Sequence, residues 1–250
     1  MKNQNLILDF GNTAIKWGLF IENKLESFYS FYIDDLKENQ SQIIELASKS
    51  SHCFISGSGN TEFDFIAEIV ENTSTLFFTP ETKLPFKLNY STPKTLGLDR
   101  KANVAAALIK FPDKNTLIID AGTCVTYDLL TSDAVYHGGA ISPGLSMRFN
   151  AMHTFTEKLP LLSQKIEHDV KQFIGNSTSS SIQVGAINGL VYEIEGFINS
   201  YKQNYRDLTL ILTGGDTHYL SSRLKSSIFA DLNFQLRGLN SILEYNKANA

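Results

Sequence analysis

One phrase occurs twice in this 250-residue chain, 111 positions apart. Leu6-Ile7-Leu8-Asp9-Phe10-Gly11-Asn12-Thr13 is an apolar run, an acid and a turn, and Leu117-Ile118-Ile119-Asp120-Ala121-Gly122-Thr123 repeats it. A short uninterrupted apolar run ended by turn residues reads as a strand buried on both faces. Gly and Asn allow a tight turn whose backbone N–H groups converge on one spot, and the adjacent Thr adds a hydroxyl. Such a turn suits a phosphate, and an Asp at the strand end can hold a phosphate's metal ion. The repeat predicts a duplicated α/β protein whose two phosphate turns face each other across an interdomain cleft.

Length permits two domains that can each bury a core. The expected boundary is the polar turn Pro112-Asp113-Lys114-Asn115, giving domains 1–112 and 113–250. A net charge of −4 and the lack of any Lys/Arg run argue against a nucleic-acid partner, so an anionic ligand must be met by backbone amides and metal. Cys53 and Cys124 form no paired spacing, and the five histidines form no His-x-x-x-His, which leaves no disulfide framework or zinc cluster to expect. The apolar stretch after Lys2 stops at Asp9, too short for a signal peptide. No apolar run approaches membrane-spanning length, so the expected location is the cytoplasm with no membrane partner.

Alternation after Gly11-Asn12, with Ile15, Trp17 and Leu19 against Lys16 and Gly18, predicts a hairpin over Leu6–Phe20. Further strands are expected at Phe28–Ile33, Cys53–Ile55, Leu76–Phe78, Leu117, Tyr127–Leu129 and Leu208–Leu212. Helices are expected around Ile43–Ala47, Phe63–Val70, Asp99–Lys110, Leu145–Phe155 and Ile182–Tyr201, and near the C-terminus. Pro80 to Pro93 reads as a lining loop, and the stretch Gly138-Gly139-Ala140-Ile141-Ser142-Pro143-Gly144 as a loop before a helix.

Each chemical motif has a plainer reading beside it. Asp9 and Asp120, taken singly, are equally caps of their own turns; their repetition with Thr13 and Thr123 shifts the balance to phosphate or metal. Lys16 can reach phosphates from the second strand or lie solvated on a hairpin edge. Asp99 in Gly97-Leu98-Asp99-Arg100 is an N-cap or a general base for a hydroxyl. Arg100 beside it offers a bidentate clamp for a carboxylate and opposes the helix dipole, which hints at another use. Leu145, Phe149 and Met152 form a helix face for core or dimer seam. Ser177–Ser181 supply N-caps for the next helix. Thr213-Gly214-Gly215-Asp216 is a tight turn or a seat for a nucleoside. Ser56-Gly57-Ser58-Gly59 lacks the third glycine of a dinucleotide site and reads as a strand-to-helix turn. No P-loop motif occurs.

In this order, Asp9–Thr13, Gly97–Arg100, Asp120–Thr123, Gly139–Gly144, Gly175–Thr178 and Thr213–Gly215 resemble the type III pantothenate kinases, from Asp9 to Gly215. That resemblance implies two duplicated ribonuclease H-like domains of the actin-like ATPase kind, from the acetate kinase, sugar kinase, Hsp70 and actin superfamily. It implies ATP-dependent phosphorylation of pantothenate to 4'-phosphopantothenate, the first step of coenzyme A biosynthesis, by a homodimer whose partner subunit lies close to the pantothenate pocket.

The resemblance also implies roles. Asp9, Phe10, Gly11, Asn12, Thr13, Ala14, Ile15 and Lys16 would form the first ATP loop, with Asp9 near Mg2+. Thr123 would contact ATP, and Asp120 would help hold a monovalent cation, K+ or NH4+. Asp99 would accept the proton. Tyr90, Gly97, Leu98, Asp99, Arg100 and Thr178 would surround pantothenate, with Arg100 on its carboxylate. Leu98, Cys124 and Ser177 depart from the usual pattern and touch pocket shape more than chemistry. Two other readings stay open: a kinase of another small hydroxylated substrate, and a nucleotide-binding accessory regulator without catalysis.

Overall fold

The computed structural model describes residues 4–57, 63–162 and 173–249; Ser58 and Gly59 of the glycine turn and His168 lie outside them. The elements follow as β1 (Gln4–Phe10), β2 (Ala14–Ile21), β3 (Lys24–Tyr32), α1 (Leu36–Ser48), β4 (His52–Gly57), α2 (Asp64–Asn72), β5 (Ser74–Phe77), a short β6 (Lys87–Leu88) and α3 (Leu98–Lys110). After these come β7 (Thr116–Ala121), β8 (Cys124–Leu130), β9 (Val135–Pro143), α4 (Leu145–Thr154), α5 (Thr178–Asn204), β10 (Thr209–Thr213), α6 (Thr217–Ser221), β11 (Phe229–Ala230) and α7 (Phe234–Ala248).

Two compact units result: Met1–Pro112 with Asn233–Ala250, and Asp113–Leu232. In the first, strands run in the order β3-β2-β1-β4-β5, and in the second β9-β8-β7-β10-β11. Each order is the same pattern. Three antiparallel strands make a meander whose first member pairs on its other side with a parallel strand, followed by a second parallel one. Helices make the crossovers that parallel strands require. The duplication read from one phrase therefore extends through the topology of both units.

In the first unit, Leu6, Leu8 and Phe10 pack with Ile43 and Ala47 of α1 and Ile66 and Ile69 of α2. Leu6, Ile7, Leu8 and Phe10 are each 0% exposed, a burial that stabilises by roughly 1.5–3 kcal/mol per side chain. Period two puts Asn5, Ile7 and Asp9 on the opposite face, and α7 covers that face. Asn5 Nδ2 donates to Asn240 Oδ1 at 2.8 Å and to Glu244 Oε1 at 2.7 Å, so the buried amide is paired rather than stranded. α3 then packs across α7. A Cβ on Gly238 would lie 1.8 Å from the Ala102 carbonyl oxygen, so only glycine lets the two helix backbones approach this closely.

The last helix was expected with the second half and lies instead in the first unit. Its apolar residues Phe234, Leu236, Leu239, Ile242 and Leu243 are at most 1% exposed there. Helical periodicity shows that a face is apolar and leaves its partner unspecified.

In the second unit, Leu117, Ile119 and Ala121 share a core with Ile187, Leu190 and Ile194 of α5 and with Leu145 and Phe149 of α4. Met152 packs partly buried against the same cluster, so the α4 face is core. The stretch expected as a glycine loop is strand β9. A Cβ on Gly139 would fall 1.5 Å from the Tyr127 carbonyl oxygen, so this glycine admits the neighbouring backbone.

Candidate active site

Asp9 and Asp120 stand at equivalent places, near the C-terminal end of the central strand of each sheet, the end where α/β proteins place ligands. Asp9 lies in register between Lys16 on β2 and Ser56 on β4, and Asp120 between Thr126 on β8 and Thr213 on β10. Lys16 is thus a direct cross-strand neighbour of an acid.

The two turns that follow differ in length. Phe10 pairs with Ile15 and Ala121 with Val125, so four residues close the first hairpin and three the second. Gly11 N–H donates to the Ala14 carbonyl at 3.0 Å, and Gly122 N–H to that of Cys124 at 2.9 Å. Asn12, Thr13 and Thr123 are exposed at the tips. Within Asp9–Lys16, Phe10 and Ile15 are wholly buried, and Phe10 stacks on Phe63 at 5.6 Å. Any contact these two make with a ligand is through the backbone.

Of the two readings of Asp99, the N-cap does not hold: Asp99 is inside the helix, and Gly97 occupies the cap. Asp99 Oδ1 accepts from the Arg100 amide at 2.8 Å. Its carboxylate turns back so far that a Cβ on Gly97 would lie 2.4 Å from Oδ1. Glycine at 97 thus keeps open the space the acid occupies, at a helix end whose free N–H groups favour negative charge. Arg100 is buried and Tyr90 half-buried. Sequence reading passed over Lys101, which is 1% exposed and points its ammonium at the Pro80 carbonyl, 3.5 Å away. Burial lowers the Lys101 pKa and Glu81 opposes that shift. In the first unit, then, the residues expected for the first ATP loop, for catalysis and for most of the pantothenate contacts lie on β1, β2, α3 and the segment before α3.

Around Asp120 the backbone crowds. Gly214 has φ +94°, and a Cβ there would meet the Ala121 oxygen at 2.3 Å and Asp120 Oδ1 at 2.5 Å. Asp216 N–H donates to the Ala121 carbonyl at 2.9 Å, and the Thr217 hydroxyl to that of Gly214 at 2.7 Å. Burial raises the Asp216 carboxyl above the usual carboxylate range. Thr178 opens α5 and is exposed; Ser177 and Ser180 form the capping box, which leaves the Thr178 hydroxyl outside the cap.

Residues 5–200 match the family model described as type III pantothenate kinase. A protein of that name from Christiangramia forsetii is 48% identical over 243 residues, covering 97% of this chain and 99% of its own. The chain belongs to the type III pantothenate kinase family. A solved structure from Campylobacter jejuni, described as a Baf family transcriptional activator, matches with TM-score 0.63 at 20% identity over 97% of this chain and 99% of its own. The activator of the 2-hydroxyisocaproyl-CoA dehydratase from Clostridium difficile, solved with bound ADPNP, gives 0.54 at 12% over 98% and 97%. At such identities these two show the fold alone. Family membership makes the chain a kinase that uses ATP.

Asp9 and Asp120 pass a chemical test for cations. Among the described residues no group of three or more His, Cys, Asp or Glu could hold a metal. A strand-end carboxylate suits Mg2+, which keeps several waters and is bound through one or two carboxylates together with substrate phosphates. At Asp120, the Ala121 carbonyl oxygen and Asp120 Oδ1 lie together beside Gly214, and such oxygen donors are the chemistry that a hard cation requires. No helix of the described residues is long and apolar enough to cross a membrane.

Proposed function

We propose that this chain transfers the γ-phosphoryl group of ATP to the primary hydroxyl of pantothenate, the first step of coenzyme A biosynthesis. The observation that carries this reading is Gly97-Leu98-Asp99-Arg100 opening α3, with the carboxylate of Asp99 folded over Gly97, in a chain of this family. Asp99 Oδ1 is held by the Arg100 amide; Oδ2 therefore takes the hydroxyl proton as the new O–P bond forms and ADP departs. Arg100, Tyr90 and Thr178 would orient pantothenate, Arg100 on its carboxylate. Asp9–Lys16 and Thr123 would bind the phosphates, chiefly through backbone N–H groups and the Thr hydroxyls. Such a transfer is mostly positioning and charge neutralisation. Asp9 would hold Mg2+ and Asp120 a monovalent cation, K+ or NH4+, and these ions would neutralise phosphate charge that few Lys or Arg residues are present to meet.

The test is incubation with ATP, Mg2+ and pantothenate, with and without K+, and detection of phosphopantothenate by mass. Product that depends on K+ is the expected result. No product in either buffer, from folded protein that still binds ATP, would sink this reading in favour of another substrate or a regulatory role.

A homodimer is part of the proposal. Ile141 on β9, Met147 on α4 and Tyr192 on α5 are 62%, 38% and 65% exposed, on elements that pack together. Sedimentation velocity is expected to give twice the mass of one chain; a monomer at micromolar concentration would refute it.

A further inference from the structure

One carboxylate in the second unit gathers three donors from three different elements. Glu193, in the middle of α5, accepts at Oε1 from the Tyr127 hydroxyl of β8 at 3.0 Å and from the Ser142 hydroxyl of β9 at 2.5 Å. Its Oε2 accepts from Arg148 Nη2 of α4 at 2.6 Å. The Arg148 guanidinium is then used twice, since its Nε donates to the Pro143 carbonyl at 2.9 Å. Both charged side chains are largely buried, at 19% and 26% exposure. Burial alone would raise the Glu193 carboxyl, but the bonds from Ser142, Arg148 and Tyr127 outweigh it and hold it below the usual range. Tyr127 is wholly buried and stacked on Phe197 at 4.1 Å, which immobilises one of the three donors.

What this carboxylate holds is the junction of β9 and α4. Gly144 lies at that junction, immediately after Ser142 and Pro143, and its backbone is laid on the second phosphate turn. Gly144 N–H donates to the Thr123 carbonyl at 3.1 Å. A Cβ at 144 would lie 2.1 Å from the Gly122 oxygen and 2.6 Å from the Thr123 oxygen, so no slack separates the two segments. The Arg148 amide in turn donates to the Gly144 carbonyl at 3.0 Å. A path of direct bonds therefore runs from Glu193 through Arg148 and Pro143 to Gly144 and on to Thr123. An apolar side chain at 193 would fill the same space; a charge that takes donors from three elements sets their mutual geometry as well.

We propose that Glu193 is a positioning residue for ATP: through Ser142, Pro143 and Arg148 it places the Gly144 backbone, against which the turn carrying Thr123 rests. This rests on the reading that Thr123 contacts ATP. It does not require pantothenate to be the acceptor.

The experiment is calorimetric titration of the full chain with MgATP in K+ buffer, with the unfolding midpoint measured alongside. Four variants are compared: Glu193→Gln, Ser142→Ala, Thr123→Val and the double variant Glu193→Gln/Thr123→Val. Gln keeps the size of Glu193 and removes its charge. The dissociation constant for ATP is expected to rise roughly tenfold, the scale of one charge-assisted hydrogen bond. Thr123→Val is expected to weaken ATP as well, and the double variant to show less than the product of the two effects, because both act on one contact.

If Thr123→Val binds ATP normally, the Thr123 reading fails and takes the proposal with it. If Thr123→Val weakens ATP and Glu193→Gln lowers only the unfolding midpoint, the proposal alone fails, since Glu193 would then only stabilise the unit. Fully multiplicative effects in the double variant would also overturn it. Should Glu193→Gln not fold, Ser142→Ala decides: it removes one donor and leaves the ion pair, and unchanged ATP binding would refute the proposal.

Discussion

Replacing Asp99 by Asn is expected to lower turnover by about 10²–10⁴-fold, the usual worth of a positioned general base, and to leave ATP affinity nearly unchanged. Asn keeps the side-chain oxygen that accepts from the Arg100 amide, so the local backbone has no reason to move. What disappears is the acceptor for the hydroxyl proton. Asp99 lies at the start of α3, a helix whose residues 100–107 are all buried, and Gly238 locks α3 against α7 by close backbone approach. A loss of rate therefore reports on chemistry rather than on a loosened helix. Steady-state kinetics with ATP and pantothenate varied separately would check this. Turnover within threefold of the unsubstituted protein would remove Asp99 from the proton-accepting role.

Gly214→Ala is expected to destabilise the second unit by roughly 2–5 kcal/mol, combining a strained positive φ with overpacking against backbone. At φ +94° an L side chain is disfavoured whatever the space around it. Here the space is also missing, because the added methyl would overlap the Ala121 oxygen and Asp120 Oδ1. Relief requires moving either the end of β7 or the carboxylate assigned to the monovalent cation. Gly215→Ala is the control. It is the next residue in the same turn, yet a Cβ there meets nothing within 4 Å. Urea unfolding of both variants, with K+ dependence of rate, separates the two effects. If Gly214→Ala unfolds at the same midpoint as Gly215→Ala, the turn tolerates a side chain and the close approach carries no energetic weight.

The parts of the site legible in the sequence are those written in consecutive residues. A buried strand, its terminal acid and a Gly/Thr turn are local patterns, and Asp9, Asp120 and their hairpins could be located from apolar runs and turn chemistry alone. Asp99 could be found at the head of a helix but not given its place in it. The cap went to Gly97, and the carboxylate folds over that glycine, an arrangement that no spacing reveals. β9 was hidden because glycine is a poor strand former; its glycine at 139 answers to the backbone of Tyr127, twelve positions earlier. Glu193 left no trace in its own neighbourhood. Its donors lie 66, 51 and 45 residues away, and each is an ordinary residue where it stands.

The sequence by itself determined the duplication, the two strand-end acids, and the motif order that marks the family, because each of these depends on residues adjacent in the chain. Only the tertiary structure decided that α7 belongs to the first unit, that the turns after the two strand-end acids differ by one residue, and which glycines are required by neighbouring backbone. It also joined Glu193 to the turn at Thr123. These are consequences of close packing between segments far apart in the chain, where a tenth of a nanometre decides whether a side chain fits, and local propensity is silent about them.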